Sequence, residues 1–163
     1  MVEAGKGRIT FDRLESELDN LINNDKYFGS IAEDIRKLVH KVFFVHARLE
    51  HELGMRILYK LFEEQLSALD KTEYCVTDTI TELTRKLTYT ERLSMVKGFK
   101  DGAPHSVLEK INSIRNDFGH PIERKWKDKY RSEANKMEVL QLLIVGIKAM
   151  NNYMANVRGK SGI

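Results

Sequence analysis

Apolar residues recur along this chain at three- and four-residue spacing, and nowhere do they alternate long enough to suggest a strand. Phe11, Leu14, Leu18, Leu21 and Ile22 line one side of a first predicted helix over 11–24. Thr10 stands at its N-cap position, and Asn23-Asn24-Asp25 reads as a stop. The second helix is long, 31–67, with an apolar stripe of Ile31, Ile35, Leu38, Val39, Val42, Leu49, Leu53, Ile57 and Leu61. Ser30-Ile31-Ala32-Glu33 has the pattern of a capping box at its start, and Gly54 marks either a close helix approach or a kink.

Thr79-Ile80-Thr81-Glu82 opens a third helix over 79–87. Thr88-Tyr89-Thr90-Glu91 opens a fourth, ended by Gly98, and Lys100-Asp101-Gly102 is a turn. A fifth helix spans 104–118. Pro104 is its first residue, and Val107, Leu108, Ile111, Ile114 and Phe118 form its stripe. The last covers 133–157, with Met137, Leu140, Leu143, Ile144, Ile147, Met150 and Met154 turned inward. The expected fold is all-α, an antiparallel bundle of five or six helices, with residues 1–163 as one domain. Residues 1–7 and 158–163 are expected to fray.

Composition narrows the class. A chain of 163 residues, 42% hydrophobic and 31% charged with only 2 Pro, is long enough for one sizeable core and poor in linkers. The single Cys75 leaves no internal disulfide, which fits a reducing cytoplasm, and neither a secretory signal nor a membrane span is visible. The net charge of +3 permits an acidic or nucleic-acid partner without requiring one. No zinc-type ligand spacing and no glycine-rich phosphate loop occurs, so no metal and no cofactor is expected.

Two groups of residues carry chemistry. His46 falls near the middle of the long helix's apolar stripe, with Glu50 one turn on, while His51 and Glu52 should point outward. A buried polar pair must be satisfied. His46 and Glu50 either bond each other, or Glu50 faces a cation across the bundle. The second group is Arg115-Asn116-Asp117-Phe118-Gly119-His120-Pro121. Here a permanent cation in the last helical turn lies close to an imidazole just past the helix end. A guanidinium clamps phosphoryl oxygens and an imidazole moves protons, so the pair suits phosphate chemistry. The plain alternative is that both residues cap the helix end. Asp117 is badly placed for the helix dipole, which suggests that it pairs with a basic group.

Arg115, the polar Asn116 and His120, with four residues between Arg and His, resemble the signature of the HEPN superfamily of helical domains. The resemblance implies a metal-independent endoribonuclease or RNA-binding domain, toxin-like or defence-like, with Arg115, Asn116 and His120 catalytic and Glu50 and His46 supporting. It also implies a homodimer in which two motifs face each other, and an antitoxin or regulatory protein as a further partner. The segment 121–131 follows the motif directly. Its Arg124, Lys125, Trp126, Lys127, Lys129, Tyr130 and Arg131 suit single-stranded RNA, through phosphate contacts and base stacking. The alternative class is a non-catalytic regulatory or protein-interaction module, resembling the helical mannitol-repressor-like proteins.

Overall fold

A computed structural model of the chain describes residues 10–24, 31–66, 82, 84–119 and 128–161, and every regular element among them is helical. Among the described residues the helices are α1 (Phe11–Asn24), α2 (Glu33–Leu66), α3 (Tyr89–Gly98), α4 (His105–Gly119) and α5 (Glu133–Ser161), and the last four pack together as the bundle. The all-α fold expected from periodicity is the fold observed. The capping pattern expected at Thr79 lies outside the described residues.

α2 is the spine, packed against α3, α4 and α5, and α4 also packs on α3 and α5. Cross-helix pairs give the directions. His46 meets Asn112 and Phe43 meets Arg115, so α4 runs antiparallel to α2. Arg48 bonds Asn151 and Asp34 pairs with Lys136, so α5 runs the same way as α2. Val42, Leu49, Leu53 and Ile57 from α2 form the middle of the core with Val96, Leu108, Ile111 and Met150.

Local chemistry explains the boundaries. At α3 the capping box is complete: the Glu91 amide donates to Thr88 Oγ1 at 3.3 Å, and the Thr88 amide donates to the Glu91 carboxylate at 2.7 Å. α2 begins at Glu33, two residues later than expected. Ile31 is buried ahead of it, the Ala32 carbonyl accepts from Ile35 and Arg36, and Glu33 and Asp34 place negative charge in the first turn. Where fraying was expected beyond 157, α5 continues to Ser161. Val157 is buried, and the Arg158 guanidinium lies over Tyr59, 5.9 Å from its ring centroid.

Five of the seven residues expected to face inward on α5 do so: Leu143, Met150 and Met154 are buried, and Leu140 and Ile147 pack against the core. Met137 and Ile144 are exposed, and the buried row is Val139, Leu143, Gly146, Met150, Tyr153, Met154 and Val157. Gly146 lies in this row. A Cβ there would run into Ile111 Cδ1, so α4 and α5 meet where α5 has no side chain. A glycine adds nothing to an apolar stripe, which is why the pattern did not include it. Glu52, expected outside, is half-buried, with a carboxylate oxygen that has no hydrogen-bond partner among the described residues. At the same end of the bundle, Arg56 is only 4% exposed. It donates to Asp101 at 2.6 and 3.0 Å and to Tyr153 Oη at 3.0 Å, tying α2 and α5 to the turn before α4.

Candidate functional site

The geometry places part of the expected site around one cleft. His46 and Glu50 from α2, Thr88, Tyr89 and Thr90 from the start of α3, and Asn112, Arg115 and Asn116 from α4 enclose about 300 Å³. Helical spacing explains the grouping, because 46 and 50 are one turn apart on α2, and 112, 115 and 116 are one turn on α4. His120 and the basic residues Arg124, Lys125, Trp126 and Lys127 lie outside the described residues.

His46 is 7% exposed, so its polar atoms need partners. Its Nε2 lies 3.0 Å from Asn112 Oδ1, and its ring stacks on Tyr89 with centroids 4.2 Å apart. Asn112 in turn donates from Nδ2 to Thr90 Oγ1 at 3.4 Å. That leaves Oδ1 as the acceptor and puts the imidazole proton on Nε2. Burial holds this imidazole below the ordinary histidine range, against the opposing influence of Asn112 and Glu50. The His46–Glu50 bond considered from sequence is therefore replaced by a bond across the bundle to α4.

Glu50 lines the same cleft as Arg115, but its ion-pair partner is Arg92, at a long 3.9 Å. Arg92 is otherwise held by backbone, donating to the carbonyls of Glu50 at 2.9 Å and Leu87 at 3.0 Å. Its guanidinium packs over Gly54, so that glycine serves a close approach.

Arg115 is differently placed. Nη1 donates to Asn116 Oδ1 at 3.2 Å, the guanidinium sits 5.4 Å from the Phe43 ring centre, and it passes over Gly119. Among the described residues it forms no ion pair and bonds no helix-end carbonyl. The cleft therefore offers a guanidinium beside hydroxyl, amide, carboxylate and imidazole groups, a set suited to an anionic, hydrogen-bonding ligand.

The far side of α4 holds the described end of the basic segment. Tyr130 is 2% exposed, packs 4.7 Å from the Phe118 ring and donates to Asp117 at 2.9 Å. The stacking role expected of Tyr130 is corrected: its ring belongs to the core. Lys129 pairs with Asp117 at 2.6 Å, and that bond raises the ammonium above its ordinary range. Arg131 is exposed and pairs with the equally exposed Asp128.

Sequence reasoning missed Thr88, Tyr89, Thr90, Asn112 and Arg92. The signal for Asn112 was present: a polar residue three before Arg115 on the same helix shares its side. Among the described residues no group of three or more His, Cys, Asp or Glu is placed to hold a metal ion, and no helix is long and apolar enough to cross a membrane. No family model, curated protein or solved structure matches the chain.

Proposed function

We propose that this chain is a metal-independent endoribonuclease or RNA-binding domain of HEPN type, with Arg115 as its phosphate clamp. The observation that carries the reading is the state of Arg115. Its guanidinium borders a polar cleft, is steadied by Asn116 and Phe43, and has no carboxylate paired to it among the described residues. A guanidinium beside hydrogen-bonding groups attracts a phosphodiester.

In the reaction, the ribose 2′-oxygen attacks phosphorus and the bond to the 5′-oxygen breaks. The products are a 2′,3′-cyclic phosphate and a 5′-hydroxyl. His120, the residue after Gly119, accepts the 2′-hydroxyl proton or supplies one to the leaving oxygen. Arg115 stabilises the charge that builds on the phosphoryl oxygens. Asn116 positions the guanidinium through the bond described above. His46 and Glu50 shape the cleft wall. A homodimer would bring two 115–120 segments together, and an antitoxin or regulatory protein is the expected further partner.

The test is cleavage of RNA by the purified chain with a chelator present, beside Arg115→Ala and His120→Ala. Cleavage by the wild type and loss in both variants is the expected result. Full activity of His120→Ala would end the catalytic assignment. The second reading, a mannitol-repressor-like interaction module in the cytoplasm, is favoured by a different observation: large apolar side chains on α1, α2 and α5 stand in solvent.

A further inference from the structure

α1 is strongly amphipathic, yet its apolar side is not used. Leu14, Leu18 and Leu21 are 52–65% exposed, where a helix of this pattern ordinarily turns such a stripe to a core. Its remaining surface is acidic, with Asp12, Glu15, Glu17 and Asp19 against one basic residue, Arg13.

A second unpartnered surface has the opposite charge. Phe44 on α2 is 78% exposed and stands one turn before Arg48, which bonds Asn151 across the seam to α5. Ile144 and Met137, both more than half exposed, lie two and four turns before Asn151 on the same side of α5. The two helices run in the same direction, so these side chains border one outward face. Lys37, Lys41, Arg48 and Lys148 flank it, all exposed, with Lys37 paired to Glu33 at 2.6 Å. An apolar stripe with an acidic surround thus exists on the same molecule as an apolar stripe with a basic surround.

We propose that a second copy of this chain covers this face. The α1 stripe of each protomer packs on the Phe44–Ile144 face of its partner, in a reciprocal, two-fold arrangement. Each contact removes exposed leucines and a phenylalanine from water, and the opposed charges select the pairing. The protomer's own α1 does not cover the face, because its leucines are themselves exposed. The proposal rests on no part of the RNA reading, and its test uses no RNA.

The experiment is light scattering and sedimentation of the full chain across roughly micromolar to hundred-micromolar concentration, a range that brackets ordinary interface affinities. The wild type should run as a dimer whose dissociation constant rises with salt. Leu18→Glu and Phe44→Glu change exposed positions and should leave helical content and thermal unfolding of the monomer intact. Each should weaken association by about tenfold or more. An equimolar mixture of the two variants should regain part of it, because the α1 of the Phe44→Glu copy can still meet the intact face of the Leu18→Glu copy. A wild type that stays monomeric throughout would overturn the proposal and leave the face to a different protein. A dimer indifferent to both variants would overturn it as well.

Discussion

His46 and Asn112 meet at 3.0 Å across the α2–α4 contact, and this polar bond sits at the back wall of the cleft that holds Arg115. It joins the two helices that carry the candidate site, so the position of α4 against α2 depends partly on an uncharged imidazole.

A pH dependence follows. Burial is the largest influence on His46 and lowers its folded pKa below the unfolded value of 6.5. The unfolded chain then binds more protons between those two values, so this residue's contribution to stability is present above about pH 6.5 and falls as pH drops through that window. Thermal unfolding of the wild type should weaken from pH 7 toward 5, and His46→Gln should flatten that slope. Parallel curves for the two proteins would assign the slope to other groups.

The Arg56–Asp101–Tyr153 cluster sets a second expectation. Asp101→Ala leaves a guanidinium that is almost wholly buried without its carboxylate, a change that costs roughly 3–5 kcal/mol when a buried pair is broken. Tyr153→Phe removes one hydroxyl from the same network and should cost about 0.5–1.5 kcal/mol. Urea unfolding measures both, and equal costs would contradict the ranking.

Close contact of α4 and α5 gives a third. Gly146→Ala drives a methyl into Ile111 Cδ1, an overpacking cost of about 1–3 kcal/mol that exceeds or offsets the gain of about 1 kcal/mol from helix propensity. Adding Ile111→Val deletes the opposing methyl. The double variant should recover stability relative to Gly146→Ala, and strict additivity of the two losses would refute the contact.

RNA binding tests the charges separately. Arg115→Lys should lose cleavage, since an ammonium lacks the planar fork. Arg115→Ala and Arg131→Ala should each lower the salt slope of single-stranded RNA binding by roughly 0.7. Lys129→Ala should change it less, because Asp117 already neutralises that ammonium. A larger effect at 129 than at 131 would show that the Asp117 pair opens to RNA.

Much of the fold is legible without coordinates. Helical periodicity in α2 and the Thr88–Glu91 box in α3 are local, set by spacing and by side chains that bond their own backbone, so the chain alone determines them. The Arg115–Asn116 pair and its place in the last turn of α4 are local too. Only the tertiary structure decided which helix supplies each partner. His46 turned to Asn112 rather than Glu50, Glu50 to Arg92, and Tyr130 to Asp117 and Phe118. The close approach of α4 to α5 depends on Gly146, whose contribution is an absent side chain. Such pairings depend on helix register and distance of approach across the bundle, and neither is encoded in the period of any single helix.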